Sequence, residues 1–306
     1  MNRKIKAFAG FLRRKGIVET FRKTYCTLAK KPYLHKVPFY IHIELNNTCN
    51  FRCHMCPIHK MKRPVRLMDF PMYKKIIDEC SSAGIWRVRL FLMGEPLLHP
   101  KLIEYIEYAK EKGLYVDFDS NGGFLDKIDQ ERLIKSGVDS IVFSVTGSRP
   151  ETYRRFQGED LDRIEKNIRG FISLRDCLGM KKPEISMQFI KSSDTENEIS
   201  EYVRKWDSIS DNINITGLSD YYDPKDKSSR KKRFCPFLWT YLVVLSDGTI
   251  VPCCQDYEGK LSLGNINETS LLTAWRSEKL LHLRKLHENR EGDKIGLCKD
   301  CDVMYF

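Results

Sequence analysis

Three cysteines, Cys49, Cys53 and Cys56, stand four and three residues apart in the stretch CNFRCHMC. Three thiolates from one loop can hold three irons of a 4Fe–4S cluster, leaving the fourth iron to a ligand that is not protein. A structural zinc is the competing reading, with His54 or His59 as the fourth donor. A second group comes late in the chain: Cys235, Cys253, Cys298 and Cys301 suffice for a fully ligated cluster or a four-cysteine zinc site. Cys254, next to Cys253, is spare. Cys26, Cys80 and Cys177 stand alone and are expected to be buried small hydrophobes.

These groups need a scaffold, and the pattern between them describes one. From residue 38 the chain alternates strand and helix signals. FYIHIEL, WRVRLFLMG, LYVDFDSNG, SIVFSVTG, EISMQFI and NINITGL read as strands, with helical patterns such as MYKKIIDECSSAG and PKLIEYIEYAKEKG between them. Proline is expected in the first turn of the second of these helices and glycine at its end. Six β–α alternations imply an α/β fold with a parallel sheet. Because they run out near residue 218, a partial (β/α)6 TIM-type barrel fits better than a complete one. The cysteine triplet sits just past the first strand, at the end where parallel barrels place their chemistry.

Residues 221–234 are polar and basic and read as a linker. YLVVLSDGTIVPCC reads as a hairpin turning at Asp247-Gly248, and a helix is expected near 270–289. The chain thus divides into a basic helical extension (1–37), a barrel (38–220), the linker, and a small cysteine-bearing domain (235–306).

With 306 residues, 42% of them hydrophobic and 30% charged, the chain can bury a large core. No apolar run approaches the roughly 18 residues that cross a bilayer, and no export signal is visible, so a cytoplasmic protein is expected. Eleven cysteines in such a chain argue for metal or redox chemistry. The net charge of +11 is concentrated: residues 1–36 hold eleven Lys or Arg against one acid, Glu19. A uniformly basic nucleic-acid-binding surface is not what this describes. Ile5, Phe8 and Leu12, then Val18, Phe21, Tyr25 and Leu28, give the extension two amphipathic helical pieces. They suit docking on the main domain, or a basic surface for an anionic membrane or a phosphorylated or lipid-linked substrate.

The C-x3-C-x2-C spacing resembles the signature of the radical S-adenosylmethionine (SAM) enzymes. The resemblance implies that the open iron chelates the amino and carboxylate groups of SAM. Reduction then yields methionine and a 5′-deoxyadenosyl radical that abstracts a substrate hydrogen. It also assigns other residues. MGEP (93–96) is similar to the motif whose Gly94 and Glu95 hold the SAM ammonium. Ser120 or Asn121, ending the third strand, would serve the ribose or carboxylate, and Ser144, ending the fourth, the carboxylate. The family pattern has an Asp two residues after that serine, where this chain has Thr146. Gln188 is a further candidate, and Met55 takes a usually aromatic position near the adenine.

The late cysteines, with LGNINETSLLTAW between them, resemble the SPASM and twitch extensions that bind auxiliary 4Fe–4S clusters. Four cysteines imply the shorter twitch-like form, with one cluster suited to electron transfer. Cys254 either points passively into the core or donates a hydrogen atom. The function implied is a radical SAM oxidoreductase with two 4Fe–4S clusters, fed by a reductant such as flavodoxin or ferredoxin and dehydrogenating a sugar- or cyclitol-like substrate. The alternatives are an epimerase using Cys254, a peptide-modifying enzyme, or a zinc protein that binds nucleic acid without catalysis.

Overall fold

The computed structural model describes residues 34–217, 235–299 and 301. The helical pair expected over 3–30 and the linker of 221–234 lie outside these residues.

Six strands follow one another in parallel: β1 (Tyr40–Ile43), β2 (Arg87–Arg89), β3 (Tyr115–Ser120), β4 (Ser140–Ser144), β5 (Glu184–Lys191) and β6 (Asn212–Gly217). The expected hairpin, β7 (Tyr241–Val244) and β8 (Ile250–Val251), does not stand apart. β7 pairs parallel with the free side of β1, giving one open sheet ordered β6-β5-β4-β3-β2-β1-β7-β8. The sheet therefore runs continuously into the cysteine-bearing segment, and β1 lies between its neighbours from the two halves of the chain.

The helices form where caps and apolar stripes coincide. In α1 (Phe70–Ala83), Asp69 accepts from Met72 N–H at the start and Gly84, at φ 73°, ends the helix. Its Tyr73, Ile76, Ile77 and Cys80 share the buried stripe expected of a 3.6-residue period. Next come α2 (Leu102–Glu111), α3 (Gln130–Lys135), α4 (Pro150–Gln157), α5 (Leu161–Cys177) and α6 (Ile199–Trp206). Proline 100 precedes α2 rather than lying in its first turn. The helix expected near 270–289 is two, α7 (Leu271–Trp275) and α8 (Glu278–Glu288), because the Ser277 hydroxyl accepts from Leu280 N–H and starts a new helix. Cys80 is fully buried as expected, but Cys177 is exposed: it ends α5 outside the buried stripe. No helix among the described residues is long and apolar enough to cross a membrane.

The two faces of the sheet differ in kind. The helix-facing side chains, including Val88, Val116, Phe118, Ile141, Phe143, Ile185 and Met187, are fully buried in one apolar core. The opposite face carries Arg87, Arg89, Asp117, Asp119, Ser140, Ser186, Gln188 and Asn214 around a cavity of about 600 Å³. Strand alternation sends neighbouring residues to opposite faces, so RVR and VDFDS deliver charges to one side and apolar groups to the other.

One buried ion pair locks the halves together. The Glu44 carboxylate, at the end of β1, receives Arg63 Nη2 at 2.8 Å on both oxygens. Ser246 N–H and Oγ–H, from the turn after β7, donate to it at 3.0 and 2.9 Å. Burial pushes Glu44 above its ordinary range, and Arg63 and Ser246 oppose that shift. Removing one partner of such a pair leaves an uncompensated buried charge. Arg63→Ala should therefore cost about 3–5 kcal/mol in anaerobic urea unfolding, with Glu44→Gln/Arg63→Met recovering much of it. Strict additivity in the double-mutant cycle would refute the lock.

Candidate functional site

The loop after β1 is shaped by its contacts with the strands on either side. Asn46 Nδ2 donates to Glu95 O at 2.9 Å, and Glu95 N–H donates to Thr48 O at 2.8 Å. Gly94 lies so close that a Cβ would stand 2.2 Å from the Asn46 carbonyl oxygen, which requires glycine there. Phe51 is buried beneath the loop, against Gly123. His54 N–H donates to Phe156 O at 2.8 Å, tying the loop to α4.

Cys49, Cys53 and Cys56 are half-buried and all unpaired. Burial pushes the Cys49 thiol up to about 11, with Glu95 and Cys56 adding to the rise. Cys53 is pushed up to about 12, mainly by burial and then by Cys56 and Cys49. Burial also raises Cys56. Such thiols stay protonated alone and ionise when bound cations neutralise them, which is the chemistry a metal cluster requires. Backbone and amide donors already face the sulfur: Phe51 N–H lies 3.4 Å and Asn121 Nδ2 3.6 Å from Cys49 Sγ. Met55 lies half-buried within the same loop.

The strand ends bring the other expected residues alongside. Glu95 is 3% exposed and accepts from Ser120 Oγ–H at 2.9 Å, Leu97 N–H at 3.0 Å and Asn121 N–H at 2.8 Å. Three donors leave one acceptor direction, on Oε2. Burial raises Glu95 to about 7 against these donors. Its two neighbours at the end of β3 have further partners within the protein. Ser120 Oγ also accepts from Gly122 N–H, and the Asn121 amide is divided among Cys49, Asn50 and Gly123. Both side chains therefore brace Glu95 and the loop. Ser144 is half-buried, its hydroxyl makes no hydrogen bond among the described residues, and it stands opposite Gln188 in the β4–β5 register. Gln188 faces the cavity, not the outside of the sheet.

The second cysteine group is also brought together. Cys235 is pushed up to about 12 by burial, with Cys301 and Cys254 contributing. Cys298 rises to about 12 through burial, Cys235 and Cys301. Cys253 is raised well above its ordinary value, chiefly by its hydrogen bond with Cys254 and then by burial, with Cys235 adding. Cys235 N–H donates to His287 Nδ1 at 3.3 Å, and His287 Nε2 is buried with no hydrogen-bond partner among the described residues. Among the described residues no three His, Cys, Asp or Glu side chains lie close enough to share one metal ion. A zinc ion draws its donors to about 2.0–2.3 Å. A cluster instead carries each thiolate on its own iron and accepts wider spacing.

Residues 43–176 match the model of the radical SAM superfamily, and residues 235–302 match that of the SPASM iron–sulfur cluster-binding domain. The chain is a radical SAM enzyme. Such a protein binds SAM and a 4Fe–4S cluster in its first domain and an auxiliary iron–sulfur cluster in its SPASM domain, and the zinc alternative falls. Among its relatives is the tungsten-containing aldehyde ferredoxin oxidoreductase cofactor-modifying protein of Pyrococcus furiosus, 23% identical over 86% of this chain and 87% of that one. The S-adenosyl-L-methionine-dependent 2-deoxy-scyllo-inosamine dehydrogenase of Niallia circulans is 25% identical over 86% and 92%. Among solved structures, BtrN in complex with AdoMet and 2-DOIA superposes with TM-score 0.61 and 20% identity, over 87% of this chain and 93% of that one. Streptococcus suis SuiB bound to precursor peptide SuiA gives 0.66 and 17%, over 87% and 71%. At these identities the structures establish the fold.

Several residues of the radical SAM site escaped the sequence. Asn46 braces Gly94 and Glu95 with no motif to announce it. Gln157, buried in α4, accepts from Thr146 N–H at 2.6 Å, donates to Ser144 O at 2.9 Å and reaches Cys53. Arg87, Arg89, Asp117 and Asp119 were legible only as charges alternating with apolar residues in short strands. Arg87 bonds both Asp117 oxygens at 2.7 Å, and Arg89 spans Asp117 at 2.8 Å and Asp119 at 2.6 Å.

The raised Glu95 gives a signed pH dependence. Its folded pKa of about 7 exceeds the ordinary 4.5, so its contribution is fully present below the unfolded pKa and is lost as pH rises through 7. Wild-type stability should fall by up to about 3 kcal/mol more than that of Glu95→Gln between pH 4.5 and 8 in anaerobic denaturant titrations. Parallel pH curves for the two proteins would refute it.

Proposed function

We propose that the enzyme dehydrogenates a polyhydroxylated small molecule, a sugar or cyclitol. The cavity on the inner face of the sheet carries this reading. The side chains of Ser140, Ser186 and Asn214 line it and make no hydrogen bond to the described chain. Unpaired hydroxyls and amides on a rigid sheet suit a ligand that offers several hydroxyls of its own. Its volume of about 600 Å³ is that of a small-molecule site. The dehydrogenase of Niallia circulans, whose name gives a substrate of this class, supports the assignment.

Within this reading Cys49, Cys53 and Cys56 hold the first cluster, and Cys235, Cys253, Cys298 and Cys301 hold the auxiliary one. Bound SAM and its cluster supply a radical that abstracts a hydrogen atom from carbon. Glu95, through the open side of Oε2, accepts from the SAM ammonium, and Gly94 fixes the approach of that backbone. Ser144 and Gln188 serve the SAM carboxylate from adjoining strands, and Met55 covers the adenine. The cluster loop exposes Arg52, Lys60, Lys62 and Arg66 and holds no acid between Glu44 and Asp69. That surface complements an acidic reductant of the flavodoxin or ferredoxin kind. The suggestions of an anionic membrane or a phosphorylated substrate rest on residues 1–37, of which 1–33 lie outside the described part.

A second reading, epimerisation, has one observation in its favour. Tyr241 Oη–H donates to Cys254 Sγ at 3.2 Å, and Cys254 packs with Tyr40 and Tyr241 beside Arg89. Cys254 is thus held toward the inner face rather than buried passively in the helix-side core. The two readings separate in heavy water. Anaerobic turnover of 2-deoxy-scyllo-inosamine or myo-inositol with SAM and dithionite should give a product lighter by two hydrogens, without carbon-bound deuterium, and Cys254→Ala should retain it. Deuterium at carbon, lost in Cys254→Ala, would transfer the assignment to epimerisation.

A further inference from the structure

Oxidising an alcohol at carbon also requires the hydroxyl proton to leave, and among the described residues the inner face contains few groups able to take it. Asp117 has both oxygens engaged, by Arg87 and Arg89. His42 is 5% exposed, its Nδ1 lies 3.3 Å from Phe91 O, and burial and Arg89 push it down to about 3. Tyr40, raised to about 12 by burial, and Tyr241, whose hydroxyl is donated to Cys254, stay protonated. Glu95 holds three donors, and its one open direction, on Oε2, is assigned to the SAM ammonium. Asp119 differs from all of these. It lines the cavity, its Oδ1 is held by Arg89 Nη2 at 2.6 Å, and its Oδ2 takes no hydrogen bond among the described residues. It also directly precedes Ser120 and Asn121, which brace Glu95 and touch Cys49. It therefore stands where the cavity meets the cluster end of the sheet.

Resting on the dehydrogenase reading, we propose that Asp119 is the catalytic base that accepts the substrate hydroxyl proton. The substrate carbinol loses its C–H hydrogen atom to the adenosyl radical and its O–H proton to Asp119 Oδ2. The auxiliary cluster, held by Cys235, Cys253, Cys298 and Cys301, would take up the remaining electron for an external electron carrier, leaving the carbon–oxygen bond a carbonyl. Asp119 then releases its proton to water. Arg89 aims the carboxylate by holding the other oxygen. Burial is the main cause that raises Asp119, to about 6, with Asp117 adding and Arg89 and Arg87 opposing. A base with that value is ionised at neutral pH, close enough to it to exchange protons readily.

The test uses the reconstituted holoenzyme with SAM, dithionite and either 2-deoxy-scyllo-inosamine or myo-inositol, deuterated at the carbinol carbons. Asp119→Asn should lower ketone formation about 10²–10⁴-fold while deuterium still reaches 5′-deoxyadenosine. Calorimetric affinity for the same probe should change less than about threefold, as expected for a group acting in the reaction rather than in binding. The wild-type rate should rise through pH 6, Asp119→Asn should lack that limb, and Asp119→Glu should restore part of the rate. Wild-type oxidation of a probe, with Asp119→Asn keeping its rate and its acid limb, would overturn the base alone. So would Asp119→Glu restoring nothing while folding and binding normally. Failure of the wild type to oxidise either probe, with SAM cleavage intact, would overturn the polyol reading and the base with it.

Discussion

The Glu44 carboxylate is the point on which the two halves of the molecule depend. It is fully buried, so its charge must be met within the protein, and the partners come from both directions. Arg63 closes the loop that bears the three cysteines and also donates to the Tyr257 carbonyl at 2.5 Å. Ser246 belongs to the turn that follows β7, seven residues before Cys253. Such a pair contributes little net stability against an apolar alternative, because desolvation offsets the attraction. What it adds is placement: the loop end and the hairpin turn have one arrangement that satisfies the charge. The β1–β7 ladder fixes the same relation along the strand.

That relation sets the shape of the working face. In a filled barrel the inward side chains pack in apolar layers. Here the inward positions of β2 and β3 form an arginine–aspartate ladder, and β4 to β6 add hydroxyls and amides beside Val142, Ile213 and Ile215. The ladder neutralises itself, so the cavity is polar without a large net charge. Arg87 also lies 5.6 and 5.4 Å from the Tyr40 and Tyr115 ring centres, which fixes its guanidinium from the flank. Stability comes from the other face, where the helices bury the apolar residues of the same strands. The division lets one face be optimised for packing and the other for a ligand.

Much of this was legible in the sequence because local signals and global fold agree. The six strands stand where the apolar runs placed them, and β7 and β8 form the hairpin that turns after Ser246. The family assignment followed from the spacing of Cys49, Cys53 and Cys56, a pattern whose chemistry is local. What was not legible depends on long-range pairing. Nothing in YLVVLSDGTIVP says that its first strand joins β1, since an apolar strand fits any unpaired edge. The partners of Ser120 and Asn121 were equally hidden: a polar residue at a strand end is read as free until the fold brings Glu95 and Cys49 beside it. Cys177 was misread for a simpler reason, since its burial depends on where the stripe of α5 ends.

The same alternation explains how one short strand serves two parts of the chemistry. On β3, Phe118 and Ser120 point one way and Asp117 and Asp119 the other. Ser120 meets Glu95, while Asp119, one residue earlier, meets Arg89 and the cavity. Consecutive residues thus face Glu95 and the cavity, joined by a single rigid peptide. A shift of β3 by one residue would exchange the two sets, carrying carboxylates into the apolar core and Phe118 into the cavity. The register of β3 against β2 and β4 is therefore held by both demands at once. Any substrate in the cavity is positioned relative to the cluster loop by the stiffness of the sheet itself, which a loop-borne site would not provide.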